Sequence, residues 1–266
     1  MRVLFLVPGG LSEQLRVLPA AAKVAETLKA QVQVACDPKA AGAWSLLPAL
    51  EKVIPFSFDD GPSLADWANL LGNVREPDFQ ACINLAQGRQ VDLMLSMSHI
   101  PNRVAAGGGW PPQAMAAFLR PLGIELDAAQ FRLSLPKASL EKAAAAMPSG
   151  QGPALLLSPS GANQDWPADQ WQALPAAIRS KLPDLRVVHA SSGSLMERAC
   201  QMANCDVVLS SDPLSNALAL FSGMPLVAIG ADPEALPQRE GVQAVGQAGS
   251  LHSLEPGAVL QALGLG

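Results

Sequence analysis

Residues 205–230, CDVVLSSDPLSNALALFSGMPLVAIG, decide the fold class. The run DVVLSS (206–211) is short and apolar, SSDPLSNAL opens polar with Asp212 and Pro213, a helix-sized segment follows, and PLVAIG (225–230) is a second apolar run. Strand, loop, helix, strand in this order predicts a βαβ unit with parallel strands. In such a unit the loop leading into the helix is where backbone N–H groups hold a phosphate. Which of those groups this loop keeps is the functional question.

The same alternation recurs outward from this stretch. VLFLV (3–7), VQVAC (32–36), ACINL (81–85), DLMLSM (92–97), ALLLSP (154–159) and LRVVHA (185–190) are strand-sized and nearly all apolar. That pattern suits parallel strands covered on both faces. Between the first two runs, Leu15, Leu18, Ala22, Ala25 and Leu28 fall at helical spacing, with Ser12 placed as the cap. In PADQWQALPAAIRSKL (167–182), Asp169 and Gln170 follow Pro167 in the first turn, and Trp171, Leu174 and Ile178 share one face. The halves therefore read as two doubly wound α/β domains. Residues 140–154 pass from an alanine-rich helix into Pro, Ser and Gly, so the boundary is expected at residues 148–153, giving domains 1–148 and 149–266. Two such domains facing a central cleft present ligands at the carboxyl ends of their strands. The loops to inspect are PGGLSEQL, SPSGANQDWP and SSDPLSNAL.

Composition narrows the function classes. The chain has 266 residues, 49% of them hydrophobic, and a mean hydropathy of +0.21, enough to bury one large core or two modest ones. Eighteen Lys and Arg stand against 23 Asp and Glu, a net charge of −5, which gives no general attraction to nucleic-acid phosphate and argues against such a partner. Cys36, Cys82, Cys200 and Cys205 are scattered, without a C-x-x-C pair or zinc-ligand spacing, and read as reduced, mostly buried thiols with no metal site. The start MRVLFLVPGG lacks a signal sequence's pattern, and no apolar run reaches the roughly 18 residues of a membrane span. These features predict a cytoplasmic chain, and its apolar composition leaves room for peripheral contact with the inner face of a membrane.

Three stretches, MRVLFLVPGGLSEQLRVLPA, LLLSPSGANQDWPADQW and CDVVLSSDPLSNALALFSGMPLVAIG, occur in an order and spacing that resembles glycosyltransferase family nine, the heptosyltransferase group. The likeness runs, with gaps, over nearly the whole chain. The resemblance implies a GT-B fold of two Rossmann-like domains. It also implies transfer of a heptose-like sugar from a nucleotide-sugar donor, typically ADP-heptose, to a lipopolysaccharide or other glycan acceptor, without a metal or other cofactor. The first domain would serve the acceptor and the second the donor.

Each loop departs from the family pattern. The family's first loop reads close to S-G-x-G-D-x-L, its Asp being the base for the acceptor hydroxyl. Glu13 stands at that position, one methylene longer, and reads either as that base or as a first-turn acid favourable to the helix dipole. Gly9 and Gly10 would border the acceptor, and Ser12, in place of the second glycine, reads better as a cap. In the second loop Gln164 replaces a phosphate-balancing lysine ahead of Trp166 and Pro167, giving up its Coulomb attraction. Asp165 beside it is unfavourable to an anion, and Ser158 and Ser160 remain as hydroxyl donors. The third loop is close to D-T-G-x-x-H in the family. Asp212 is kept, but Pro213, Leu214 and Ala217 replace Thr, Gly and His, so an N–H, a backbone freedom and a polar group are lost. Ser160, Gln164, Asp212, Ser215 and Asn216 would line the donor diphosphate. The family's βα unit after the strand matching LRVVHA, which carries an acid for the donor ribose, is not matched here.

Singletons add less. His99, expected to end a strand near the cleft, would be an acceptor-side donor or a structural histidine. His189 reads as a core or strand-end residue, Arg89 and Arg103 as solvated or phosphate-facing, and Trp110, in AAGGGWPPQ (105–113), as a loop residue able to meet a partner. Two functions follow. One is a glycosyltransferase. The other is a degenerate member that keeps the scaffold and binds a protein partner.

Overall fold

The computed structural model describes residues 1–105 and 115–266, which form two compact units, Met1–Ser134 and Leu135–Gly266. Trp110 lies outside the described residues. In the first unit, β1 (Arg2–Leu6), β2 (Gln31–Cys36), β3 (Leu50–Pro55), β4 (Phe79–Asn84) and β5 (Asn102–Ala105) form one parallel sheet in the order β3-β2-β1-β4-β5. Helices α1 (Leu11–Leu28), α2 (Leu64–Arg75), α3 (Arg89–Met97) and α4 (Ala116–Leu119) lie between or after these strands. Residues Val3, Leu4, Phe5 and Leu6 of β1 are fully buried, as a central strand covered on both faces requires.

In the second unit, α5 (Lys137–Ala145) precedes β6 (Ala154–Ser158), α6 (Ala168–Arg179), β7 (Arg186–His189), α7 (Leu195–Met202), β8 (Val207–Ser210), α8 (Pro213–Phe221), β9 (Leu226–Ile229), β10 (Val242–Val245) and α9 (Pro256–Ala262). Its parallel sheet has the order β10-β9-β8-β6-β7. The division between units falls ahead of residues 148–153, because α5 belongs with the second unit: Lys142 pairs with Glu197, and Asn204 Nδ2 donates to the Leu140 carbonyl. Both sheets have one place where neighbouring strands lead their connections in opposite directions, β1/β4 in the first and β6/β8 in the second. In open α/β sheets ligands are held by the loops at the carboxyl ends of the strands at such a point.

Three readings of the sequence need correction. DLMLSM is helical, inside α3, not a strand: Val91, Met94 and Leu95 are buried at helical spacing while Leu93 and Met97 are exposed. A short apolar run carries no period to separate the two states, and Gly88, at φ 123°, ends the preceding loop and starts the helix. His99 consequently follows a helix. The cap of α1 is Gly10 rather than Ser12, which lies one residue inside the helix because the helix opens at Leu11. Strands β3, β5 and β10, absent from the sequence reading, are all sheet edges.

Candidate functional site

The β1–α1 loop is built around one buried amide. Gln14 is fully buried, and its Nε2 donates to the carbonyls of Val7, Pro8 and Gly9 at 3.1, 3.1 and 3.2 Å, while Oε1 accepts from Trp44 Nε1 at 2.9 Å. This fixes the loop's carbonyls inward and turns its N–H groups to carboxylates. Gly9 N donates to Asp59 Oδ2 at 2.9 Å, and Gly10 N to Glu13 Oε2 at 3.0 Å. Glu13 thus returns to the helix cap in the manner of a capping-box acid. Its other oxygen has no partner among the described residues. Gly9 has φ +85°, and a Cβ there would lie 2.7 Å from Glu13 Cγ, so the glycine is required both by conformation and by the packing of Glu13.

His99 does not join this group. It follows α3 and precedes β5, at the amino ends of the strands, the opposite edge of the sheet from Glu13. There Arg75 Nη2 approaches His99 Nε2 at 3.1 Å and Arg75 Nε donates to the Met97 carbonyl. Because a guanidinium only donates, the ring nitrogen is the acceptor in this contact. Its φ of 61° marks a turn residue.

In the second unit a cavity of about 490 Å³ opens at the carboxyl ends of β6, β7 and β8, at the switch point, within the range of small-molecule sites. Ser158, Ser160, His189, Ser191, Arg198 and Asp212 are among its lining residues. Asp212 caps α8: Oδ1 accepts from Leu214 N at 3.2 Å, and Oδ2 from Ser215 N at 3.1 Å, Ser215 Oγ at 2.7 Å and Arg198 Nη1 at 3.3 Å. The helix start, where a phosphate would bind, is therefore already served by a carboxylate of the chain itself. Beneath it, Ser158 Oγ and Ser215 Oγ are 2.7 Å apart and both residues are buried.

The other donor-side candidates lie elsewhere. Gln164 is exposed on its loop, outside the lining of this cavity. Asn216 is buried behind the cap, and its Oδ1 has no hydrogen-bond partner among the described residues. Asp165 turns its charge onto its own loop, accepting from Gly161 N at 3.0 Å and Trp166 N at 2.7 Å. Burial acts to raise its pKa, but the hydroxyls of Ser211 and Ser160 with those two N–H groups outweigh it and hold the carboxyl below its usual value. Trp166 is 2% exposed, donates to the Leu254 carbonyl at 2.9 Å and packs edge-on to Trp171, as a core residue. His189 is an exposed strand-end residue.

Sequence reading missed Gln14, Asp59 and Arg198. Only the last had a local signal. Ser194 and Glu197 form a capping box that fixes the start of α7 and so puts Arg198 in its first turns.

Two parallel α/β units, each with ligand-side loops at a switch point, define a protein of the GT-B glycosyltransferase fold. Neither a family model nor a curated protein sequence matches the chain. Among solved structures it is similar to E. coli ADP-heptose LPS heptosyltransferase II, at 16% identity and a TM-score of 0.72, covering 99% of this chain and 98% of that one. It is similar to E. coli heptosyltransferase WaaC with ADP, at 17% identity, a TM-score of 0.67 and 99% coverage of both chains. The glycosyl transferase family 9 protein of Veillonella parvula gives 12% identity and a TM-score of 0.70, covering 98% of this chain and 90% of that one. At these identities the likeness establishes the fold. Among the described residues no helix is long and apolar enough to cross a membrane, and no group of three or more His, Cys, Asp or Glu could hold a metal ion.

Proposed function

We propose that the chain transfers a heptose-like sugar from a nucleoside diphosphate sugar to a hydroxyl of a lipopolysaccharide or other glycan acceptor. The observation that carries this reading is the hydroxyl- and arginine-lined cavity at the switch point of the second unit. The fold shared with the heptosyltransferases supports it. In this reading the acceptor oxygen bonds to the anomeric carbon, the bond from that carbon to the diphosphate breaks, and the nucleoside diphosphate leaves with the electron pair. Glu13 takes the hydroxyl proton through the oxygen not bound to Gly10 N. No metal is required, and a lipid-linked acceptor would be met at the cytoplasmic face of a membrane.

A second reading is favoured by Asp212. Its carboxylate occupies the start of α8 in place of a ligand, as in a degenerate scaffold that binds a protein partner. Calorimetric titration of the full chain with ADP, UDP, GDP and their sugars separates the two. Micromolar binding of one nucleotide, with turnover of its sugar falling about 10²- to 10⁴-fold in Glu13→Gln, is the outcome expected of the transferase. Absence of binding at millimolar ligand moves the assignment to the degenerate scaffold.

A further inference from the structure

If a nucleoside diphosphate binds the second unit, its charge needs a counter-charge, and the loop position at which a lysine was expected carries Gln164, exposed and outside the cavity. Arg198, from the neighbouring helix α7, is the only lysine or arginine among the described residues that line the cavity. Its side chain is 18% exposed, buried enough to be held and open enough to be reached. Nε donates to the Ser191 carbonyl at 3.0 Å, and Nη1 is shared between Asp212 Oδ2 at 3.3 Å and Ser215 Oγ at 3.5 Å. Nη2 has no partner among the described residues.

Charge-assisted N–H···O bonds between well-matched ions are shorter, about 2.7–2.9 Å. The contact with Asp212 is therefore loose, and Asp212 does not depend on it, being held by two backbone N–H groups and the Ser215 hydroxyl. A phosphate oxygen can take Nη1 and Nη2 together without disturbing the α8 cap. Ser191 stands on the same lining, and its hydroxyl, which accepts from Gly193 N at 3.0 Å, has its own proton to give to a remaining phosphate oxygen.

We propose that Arg198 is the phosphate-binding cation of the second unit, exchanging the carboxylate of Asp212 for the donor diphosphate, so that the charge missing from the loop between β6 and α6 is supplied by helix α7. This assignment rests on the nucleotide-sugar reading above.

The test titrates wild type, Arg198→Gln, Arg198→Lys and Asp212→Asn, all full-length, with ADP, UDP, GDP and inorganic pyrophosphate. For the nucleotide that wild type binds, Arg198→Gln is expected to weaken affinity about ten- to hundredfold. Arg198→Lys should fall between, since lysine keeps the charge but not the fork. Asp212→Asn keeps a capping side chain while removing the competing charge, and should tighten pyrophosphate binding severalfold. Wild-type affinity in Arg198→Gln overturns the assignment and leaves the nucleotide reading standing. Failure of wild type to bind any of the ligands overturns both. Should Arg198→Gln not fold, Asp212→Asn decides: tighter pyrophosphate binding supports the exchange, and unchanged or weaker binding refutes it.

Discussion

Gly9 and Glu13 are fitted to one another: the glycine's φ of +85° lets the chain turn, and its missing Cβ leaves room for the glutamate to fold back on the cap. A methyl group at that place meets Glu13 Cγ and strains the backbone together. Gly9→Ala is therefore expected to cost about 1–3 kcal/mol, read from urea unfolding, and to displace Glu13. Unchanged stability would show that the loop can yield. At this scale the sequence was readable only in part. Glu13 was open between base and first-turn acid because both need a carboxylate near a helix start, and the structure adds the capping bond without removing the free oxygen. Asp212 was read only as a retained donor-loop residue, although Asp before Pro at the start of a helix suits a cap equally well. The capping box of α7 signalled where Arg198 sits, but not its pairing with Asp212, because that partner lies on another loop and no periodicity links the two.

Elements were legible where they are central and obscure where they are peripheral. Strands β1, β2, β4, β6, β8 and β9 are interior to their sheets and read as apolar runs, whereas β3 and β10, at sheet edges, carry exposed Glu51, Lys52 and Gln243 that interrupt the pattern. The edge strand β7 was visible because Arg186 and His189 flank two valines. Helix α3 was misread for the converse reason, with apolar Leu93 and Met97 on its exposed side. That assignment has a direct test by chemical denaturation. Leu93→Lys should change stability by no more than about 0.5 kcal/mol, and Leu95→Ala, at a buried position of the same run, should cost about 2–5 kcal/mol. A buried strand would make both costly. Turns at the helix starts were less visible still, because Gly10 rather than a hydroxyl residue opens α1.

Across the whole molecule, ionisable groups in both units set the pH range of stability. Hydrogen bonding to the Lys39 N–H and the Ser57 hydroxyl lowers the pKa of Asp37, Arg2 and Gln33 lower that of Glu51, Ser63 lowers that of Asp66, and Ser194 with Lys142 lowers that of Glu197. Groups depressed in the folded state stabilise it above their unfolded pKa and lose that contribution as pH falls through the folded one. The acid limb should thus begin below about pH 4.5. In the alkaline direction, burial pushes the Cys36 thiol up to about 11 and the Cys205 thiol up to about 12, from an ordinary 9.0. Raised values reverse the sign: the contribution is whole below 9 and lost as pH rises toward 11 and 12. Thermal unfolding followed from pH 3 to 11 should show a plateau between two falling limbs, and a plateau extending unchanged to pH 11 would contradict the burial of the thiols. The Gln14 amide carries a different consequence. By joining three loop carbonyls to an indole thirty residues away, it makes Trp44 and Gly9 thermodynamically coupled, so a double-mutant cycle between Trp44→Phe and Gly9→Ala should depart from additivity by about 0.5 kcal/mol or more. The posture of the loop that Glu13 folds back upon is then inherited from a fully buried indole.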